Sequence, residues 1–278
     1  MKPCLKPACL AIALLAALVA CKRDEPGAAT PPPAGADSAA APAEGDPAAA
    51  LELKDVIESN DRYIIGISYP PAVNKYPGLA RAVAEYSEAA RAELMQAVDG
   101  LGNDKPSAPY ELSLSYQLLL ETPRLVVVSA DGSSYTGGAH GQPLVGRFVW
   151  LPQQDKLLTV DELLPTADGL VAVSNYAREQ LHTAVSLRVE ADDLPPIERA
   201  QLVKSADRMI DEGTRPDAGN FGQFQPQLGV DGKIRALRFV FPPYQVGPYS
   251  DGTQTVDVPA SVLLPHVAPE YADLFARG

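Results

Sequence analysis

From Leu112 to Glu121 the chain alternates: Leu112, Leu114, Tyr116, Leu118 and Leu120 fall on one side, and Ser113, Ser115, Gln117, Leu119 and Glu121 on the other. A period of two held over this length fits a sheet strand with one covered face and excludes a helix. The segment before it has a different period. Between Pro77 and Val98, Leu79, Val83, Tyr86, Ala90, Leu94 and Val98 recur every three or four residues, one face of an amphipathic helix closed by Gly100 and Gly102. Tyr63, Ile65 and Ile67 predict an earlier strand, Tyr63 to Tyr69, which Pro70-Pro71 ends. Arg124 to Ala130 and Leu144 to Leu151 supply two more strands around a Gly-rich loop from Asp131 to Gln142, together an antiparallel meander.

Helical spacing returns with Leu170, Val173, Ala177, Leu181 and Val185, and Pro195-Pro196 suits the first turn of a second helix. The chain then becomes extended again. Asp231-Gly232 is a preferred hairpin turn, followed by strands at Ile234 to Phe241 and Thr253 to Val258. Runs of strands punctuated by a few helices indicate an α+β fold, antiparallel sheets packed with helices. No internal repeat is present.

The amino terminus obeys other rules. Lys2 and Lys6 precede an apolar run from Ala8 to Ala20, which ends Leu18-Val19-Ala20-Cys21. Positive region, apolar core and small-residue cleavage site make residues 1–20 a secretory signal. A run of about 13 residues is short of the roughly 20 that span a bilayer. The ending is a lipobox, so Cys21 is expected to carry the lipid, palmitate included, that anchors the exported chain to a membrane. Residues 21–50, rich in Ala and Pro with Thr30-Pro31-Pro32-Pro33, cannot bury a core and read as a tether. Folding therefore starts near Leu51, with expected subdomains at 51–155 and 156–278.

Cleavage removes Cys4 and Cys9 and lipidation consumes Cys21, so no disulfide or cysteine cluster remains. Stability has to come from an apolar core, which roughly 230 residues can build. The signal holds two of the 23 basic residues and none of the 35 acidic ones, so the formal charge of −12 becomes −14 on its removal. An acidic chain is a poor nucleic-acid binder and suits a basic partner; the same charge also keeps an exported protein in solution.

Two loops stand out. Tyr135-Thr136-Gly137-Gly138-Ala139-His140-Gly141 pairs glycines that admit backbone angles other residues avoid. It reads either as a partner-contacting loop presenting Tyr135 and His140, or as a tight turn with His140 bonded to backbone. Phe241 to Gly252 is stiffened by Pro242, Pro243 and Pro248 and carries Tyr244 and Tyr249. These are either recognition anchors, which lose little side-chain entropy on binding, or tyrosines packed under their own loop.

Catalytic spacing is absent. His140, His182 and His266 are far apart, with no H-E-x-x-H, G-x-S-x-G, P-loop or dinucleotide fingerprint, and no metal or cofactor is expected. Asp161-Glu162 reads as solvated residues entering a helix or turn. Ser133 or Ser134 with His140 could in principle form a nucleophile and base.

Tyr135 to Gly141, Leu158 to Leu164, Asn220-Phe221, and Phe241 to Pro259 with Tyr244, Pro248-Tyr249, Gly252 and Val258-Pro259 occur in an order that resembles the RsiV-type extracytoplasmic domain. Residues 170–265 resemble the domain of unknown function named for that anti-sigma factor, and residues 55–150 the domain that precedes it there and in the deacetylase PdaC. The resemblance implies a binding domain for lysozyme or another cell-wall-active protein, with contacts on the loops of Tyr135, Thr136, Gly137, Gly138, His140, Tyr244, Pro248 and Tyr249. It does not carry over the anti-sigma role or the deacetylase chemistry, which belong to other segments of those proteins. A wall-acting enzyme and a structural envelope protein are the alternatives. Lys22, in place of an aspartate, favours the outer membrane facing the periplasm.

Overall fold

The alternating segment becomes the third strand of a six-stranded sheet. A computed structural model describes residues 51–192 and 194–277; the signal, Cys21 and the tether lie outside them. The sheet runs β1 (Val56–Ser59), β2 (Tyr63–Ser68), β3 (Tyr110–Glu121), β4 (Val126–Tyr135), β5 (Gln142–Leu151) and β6 (Lys156–Leu157), each strand beside the next. From β3 onward it is the expected antiparallel meander. The β2–β3 pair is parallel instead. Parallel neighbours need a crossover, and α1 (Pro77–Gly100) supplies it.

Helix α1 lays Leu79, Val83, Ala90, Leu94 and Val98 on one face of the sheet, against Ile65, Ile67, Leu112, Leu114, Val126, Val128 and Trp150. Two polar groups in this core satisfy each other: Ser87 Oγ lies 2.7 Å from the Tyr116 hydroxyl. Burial raises the pKa of that phenol above its ordinary value. Strand β1, absent from the sequence reading because four residues carry little pattern, is tied to α1 through Glu58. Arg91 donates to both Glu58 oxygens at 2.6 and 2.9 Å, and this fork holds the carboxyl below its usual range.

The second half adds α2 (Val160–Leu163), α3 (Ala167–Ala191) and α4 (Pro196–Gly213), then a three-stranded antiparallel sheet of β7 (Phe224–Leu228), β8 (Ile234–Phe241) and β9 (Gln254–Pro259), followed by α5 (Ala260–Leu263). Thr159 and Glu162 form a reciprocal cap at the start of α2, so the carboxylate pair Asp161-Glu162 enters a helix. Asp231-Gly232 sits in the β7–β8 turn, with Gly232 at φ +73°. The architecture is α+β. No helix among the described residues is long and apolar enough to cross a membrane.

The two halves meet through β4 and β5. Val126 and Val128 face α1, whereas Leu125, Val127, Val149 and Leu151 face the other way, into a core with Val173, Leu181, Phe239, Phe241 and Val258. Arg124 reinforces the junction, donating to both carboxylate oxygens of Asp273 at 2.8 and 2.9 Å. The described residues accordingly fall within one compact unit.

Val127→Ala and Val128→Ala open cavities in different cores, each costing about 2 kcal/mol. Both are expected to lower the midpoint of one shared transition in denaturant unfolding. Two transitions that respond separately would contradict the shared sheet.

Candidate functional site

Strand β4 extends further than the sequence suggests. Its pairing with β5 continues to Ser134 opposite Gln142, so the glycine-rich loop shrinks from Asp131–Gln142 to the six residues after Tyr135. Gly137 and Gly138 take φ of +106° and +97°, angles that a side chain would strain. Tyr135 donates its hydroxyl proton to the Gly138 carbonyl at 3.2 Å and closes its own loop. The turn delivers His140 to the end of the hairpin.

The β8–β9 connection approaches from the other half. Tyr244 has φ +75°, a strained region for a bulky residue, and such strain costs of order 1–3 kcal/mol. Neighbouring contacts hold it there. The Tyr244 N–H donates to Gly247 O at 2.9 Å, and the Gln245 side-chain amide donates to the carbonyls of Gly213 and Asn220, both at 2.9 Å. A Cβ on Gly213 would fall 2.0 Å from the Gln245 carbonyl oxygen, so glycine is required where α4 ends against this loop. Farther on, the short 3-10 turn Tyr249–Asp251 is latched to α3 by Arg188, which donates to Asp251 at 2.8 Å.

These two loops place three aromatic rings together. His140 stacks on Tyr249 with centroids 4.1 Å apart and planes 6° from parallel. The Tyr244 hydroxyl lies 3.1 Å from His140 Nε2 and 3.3 Å from Nδ1, within hydrogen-bond distance of either ring nitrogen. Tyr244 and Tyr249 are 5.6 Å apart. His140 and Tyr244 are exposed, Tyr244 at 47%, and Tyr249 is half-buried. His140 therefore bonds to a tyrosine rather than to backbone, and its ring nitrogens face Tyr244 rather than Ser133 or Ser134.

Among the sequence candidates, His140, Tyr244 and Tyr249 converge, whereas Tyr135, Thr136 and Pro248 do not join the rings. Thr136, Gly137 and Gly138 are exposed at the loop tip. Pro248 borders a groove shared with Arg188 and Met209. His182 is remote, with Nδ1 2.8 Å from Asp207 between α3 and α4. No group of three or more His, Cys, Asp or Glu among the described residues could hold a metal ion. Gln245, Gly213 and the Arg188–Asp251 latch were not legible beforehand, because they join segments 32 and 63 residues apart with no local motif.

Residues 57–142 match the family model described as Deacetylase PdaC, and residues 161–261 match Protein of unknown function (DUF3298). A PdaC-type domain precedes a DUF3298 domain. The His140 loop ends the first match and the Tyr244–Tyr249 loop falls inside the second, so the ring cluster joins the two domains. The chain is 20% identical over 224 residues to the peptidoglycan-N-acetylmuramic acid deacetylase PdaC of Bacillus subtilis (strain 168), covering 80% of this chain and 43% of that protein. It thus spans less than half the length of that relative. A crystal structure of a DUF3298 family protein from Pseudomonas aeruginosa PAO1 shares the fold, with TM-score 0.51 and 16% identity over 81% of this chain and 94% of the other. A DUF3298 family member from Bacteroides fragilis NCTC 9343 aligns with TM-score 0.49 and 17% identity, over 78% and 93% of the two chains.

Stacking on Tyr249 is expected to move the His140 ring-proton resonances upfield. Tyr249→Ala should return them toward unstacked positions, and Gly213→Ala, by displacing the Gln245 backbone, should do the same while costing roughly 1–3 kcal/mol of stability. An imidazole spectrum indifferent to Tyr249→Ala would rule out the stacked arrangement.

Proposed function

We propose that this chain is a cell-envelope binding protein, exported and held at a membrane by lipid on Cys21, whose protein partner docks on His140, Tyr244 and Tyr249. The observation that carries the reading is the pre-ordered aromatic cluster itself. Rings already fixed by stacking, a hydrogen bond and proline-stiffened backbone, with His140 and Tyr244 exposed and Tyr249 half-buried, lose little entropy on binding, and tyrosine is enriched at binding hot spots. The formal charge, −12 for the whole sequence and −14 once Lys2 and Lys6 leave with the signal, favours a basic partner, since complementary charge speeds encounter. A basic wall-active protein such as a lysozyme meets that description, and the resemblance of these loop motifs to those of the RsiV-type domain supports it.

A second reading, a wall-acting enzyme, draws on the deacetylase named among the relatives. It requires turnover of cell-wall material that His140→Ala abolishes. The binding reading requires affinity without turnover.

Calorimetry with lysozyme and a lysozyme turnover assay decide the partner. Binding in the micromolar range or tighter is expected, weakened by about 30-fold in Tyr249→Ala as for a hot-spot residue and slowed by added salt. No heat of binding at roughly 50 μM protein would sink the lysozyme version.

The anchor is tested separately. Cys21→Ser should abolish metabolic labelling with a palmitate analogue and move the protein out of the membrane fraction; labelling that survives the substitution would refute lipidation at Cys21.

A further inference from the structure

Beside the ring cluster lies a cleft of about 300 Å³, at the small end of the range for ligand sites. Its floor is the distal end of the β4–β5 hairpin, on the face that also carries Val127 toward the second half, where Asp131 and Ser133 stand two residues apart on one strand and Pro143 lies opposite Ser133. Pro243, Tyr249 and Thr253 from the β8–β9 connection form its wall. Both domains are needed to make it.

The charge balance narrows the ligand. Asp131 is the charged residue of the lining, and Arg147 pairs with its Oδ1 at 3.0 Å with a side chain only 9% exposed. The carboxylate is thereby compensated, which leaves no unpaired negative charge to hold a cation. No lysine or arginine lines the cleft to hold an anion. What remains is hydrogen-bonding capacity without net charge: the second Asp131 oxygen as an acceptor, and the Ser133 and Thr253 hydroxyls as donors or acceptors. Against these polar groups stand two prolines and a tyrosine ring that is stacked on His140.

A ligand matched to this lining is uncharged, carries several hydroxyl groups on its rim, and offers apolar C–H faces to a ring and to prolines. A pyranose has those properties. We propose that the cleft binds one ring of a neutral saccharide, with the hydroxyl rim toward Asp131 and Ser133 and one apolar face toward Tyr249. The site goes beyond protein docking: it shares Tyr249 with the proposed docking surface, but His140 and Tyr244 are not part of the lining, and Asp131, Ser133 and Thr253 are not part of the docking surface.

The test is an amide-shift titration of the purified protein with diacetylchitobiose, cellobiose and maltose, with glucuronate and glucosamine as charged controls. At least one neutral disaccharide is expected to shift the amides of residues 131–133 and 249–253 with a Kd of about 1 mM, at least about tenfold tighter than either charged sugar. Ser133→Phe, which fills the floor, should abolish those shifts while leaving partner binding in place. Thr253→Trp, at an exposed position on the wall, serves the same purpose if Ser133→Phe fails to fold. Absence of these shifts at roughly 50 mM of every neutral sugar, equal binding of charged sugars, or shifts that persist in a folded, cleft-filled variant would each overturn the proposal. Loss of lysozyme binding alone would not, so the two readings fail separately.

Discussion

The burial of β4 and β5 on both faces is the constraint on which the other features rest. A strand with one covered face alternates, as β3 does; Leu125-Val126-Val127-Val128 does not, because alternate side chains enter different cores. That run makes one sheet serve two layers: α1 packs on one side, and α3 with the β7–β9 sheet packs on the other. The consequence reaches the surface. Once the second half is fixed against β4 and β5, the β8–β9 connection has to pass close to the tip of the β4–β5 hairpin, and His140 meets Tyr249 there.

Much of the fold was legible because its elements are long and periodic. The face of α1, the alternation of β3 and the Asp231-Gly232 turn could each be read from spacing. What escaped was set by tertiary context. β1 has four residues and depends on a fork between Glu58 and Arg91. The parallel β2–β3 pair is a statement about connection, not periodicity. By local pattern Tyr135 belongs to a loop, because Asp131-Gly132-Ser133-Ser134 looks like turn chemistry, yet pairing with β3 and β5 keeps the segment extended.

The candidate site was half legible for the same reason. Tyrosines among prolines and a histidine after paired glycines are unusual enough locally to be singled out. Nothing local says that Tyr135 bonds within its own loop while His140 crosses to the other domain. The supports are still less visible: Gln245 works through two carbonyl oxygens of distant segments, and Gly213 matters only because a backbone lies where its Cβ would be.

Those supports explain how a strained residue persists on an exposed loop. Tyr244 at φ +75° gives up of order 1–3 kcal/mol, and its own hydrogen bond to His140 is exposed and therefore a weak offset. The compensation lies deeper. Each Gln245 amide bond to a part-buried carbonyl contributes about 0.5–1.5 kcal/mol net, the burial of Val246 contributes about 1.5–3 kcal/mol more, and both act on the residues immediately after Tyr244. The strain is met by the α4–β8 side of the loop, which leaves the ring face free of structural duty. A cluster whose geometry is secured from behind can exchange its solvent contacts for those of a partner without rearranging the fold beneath it.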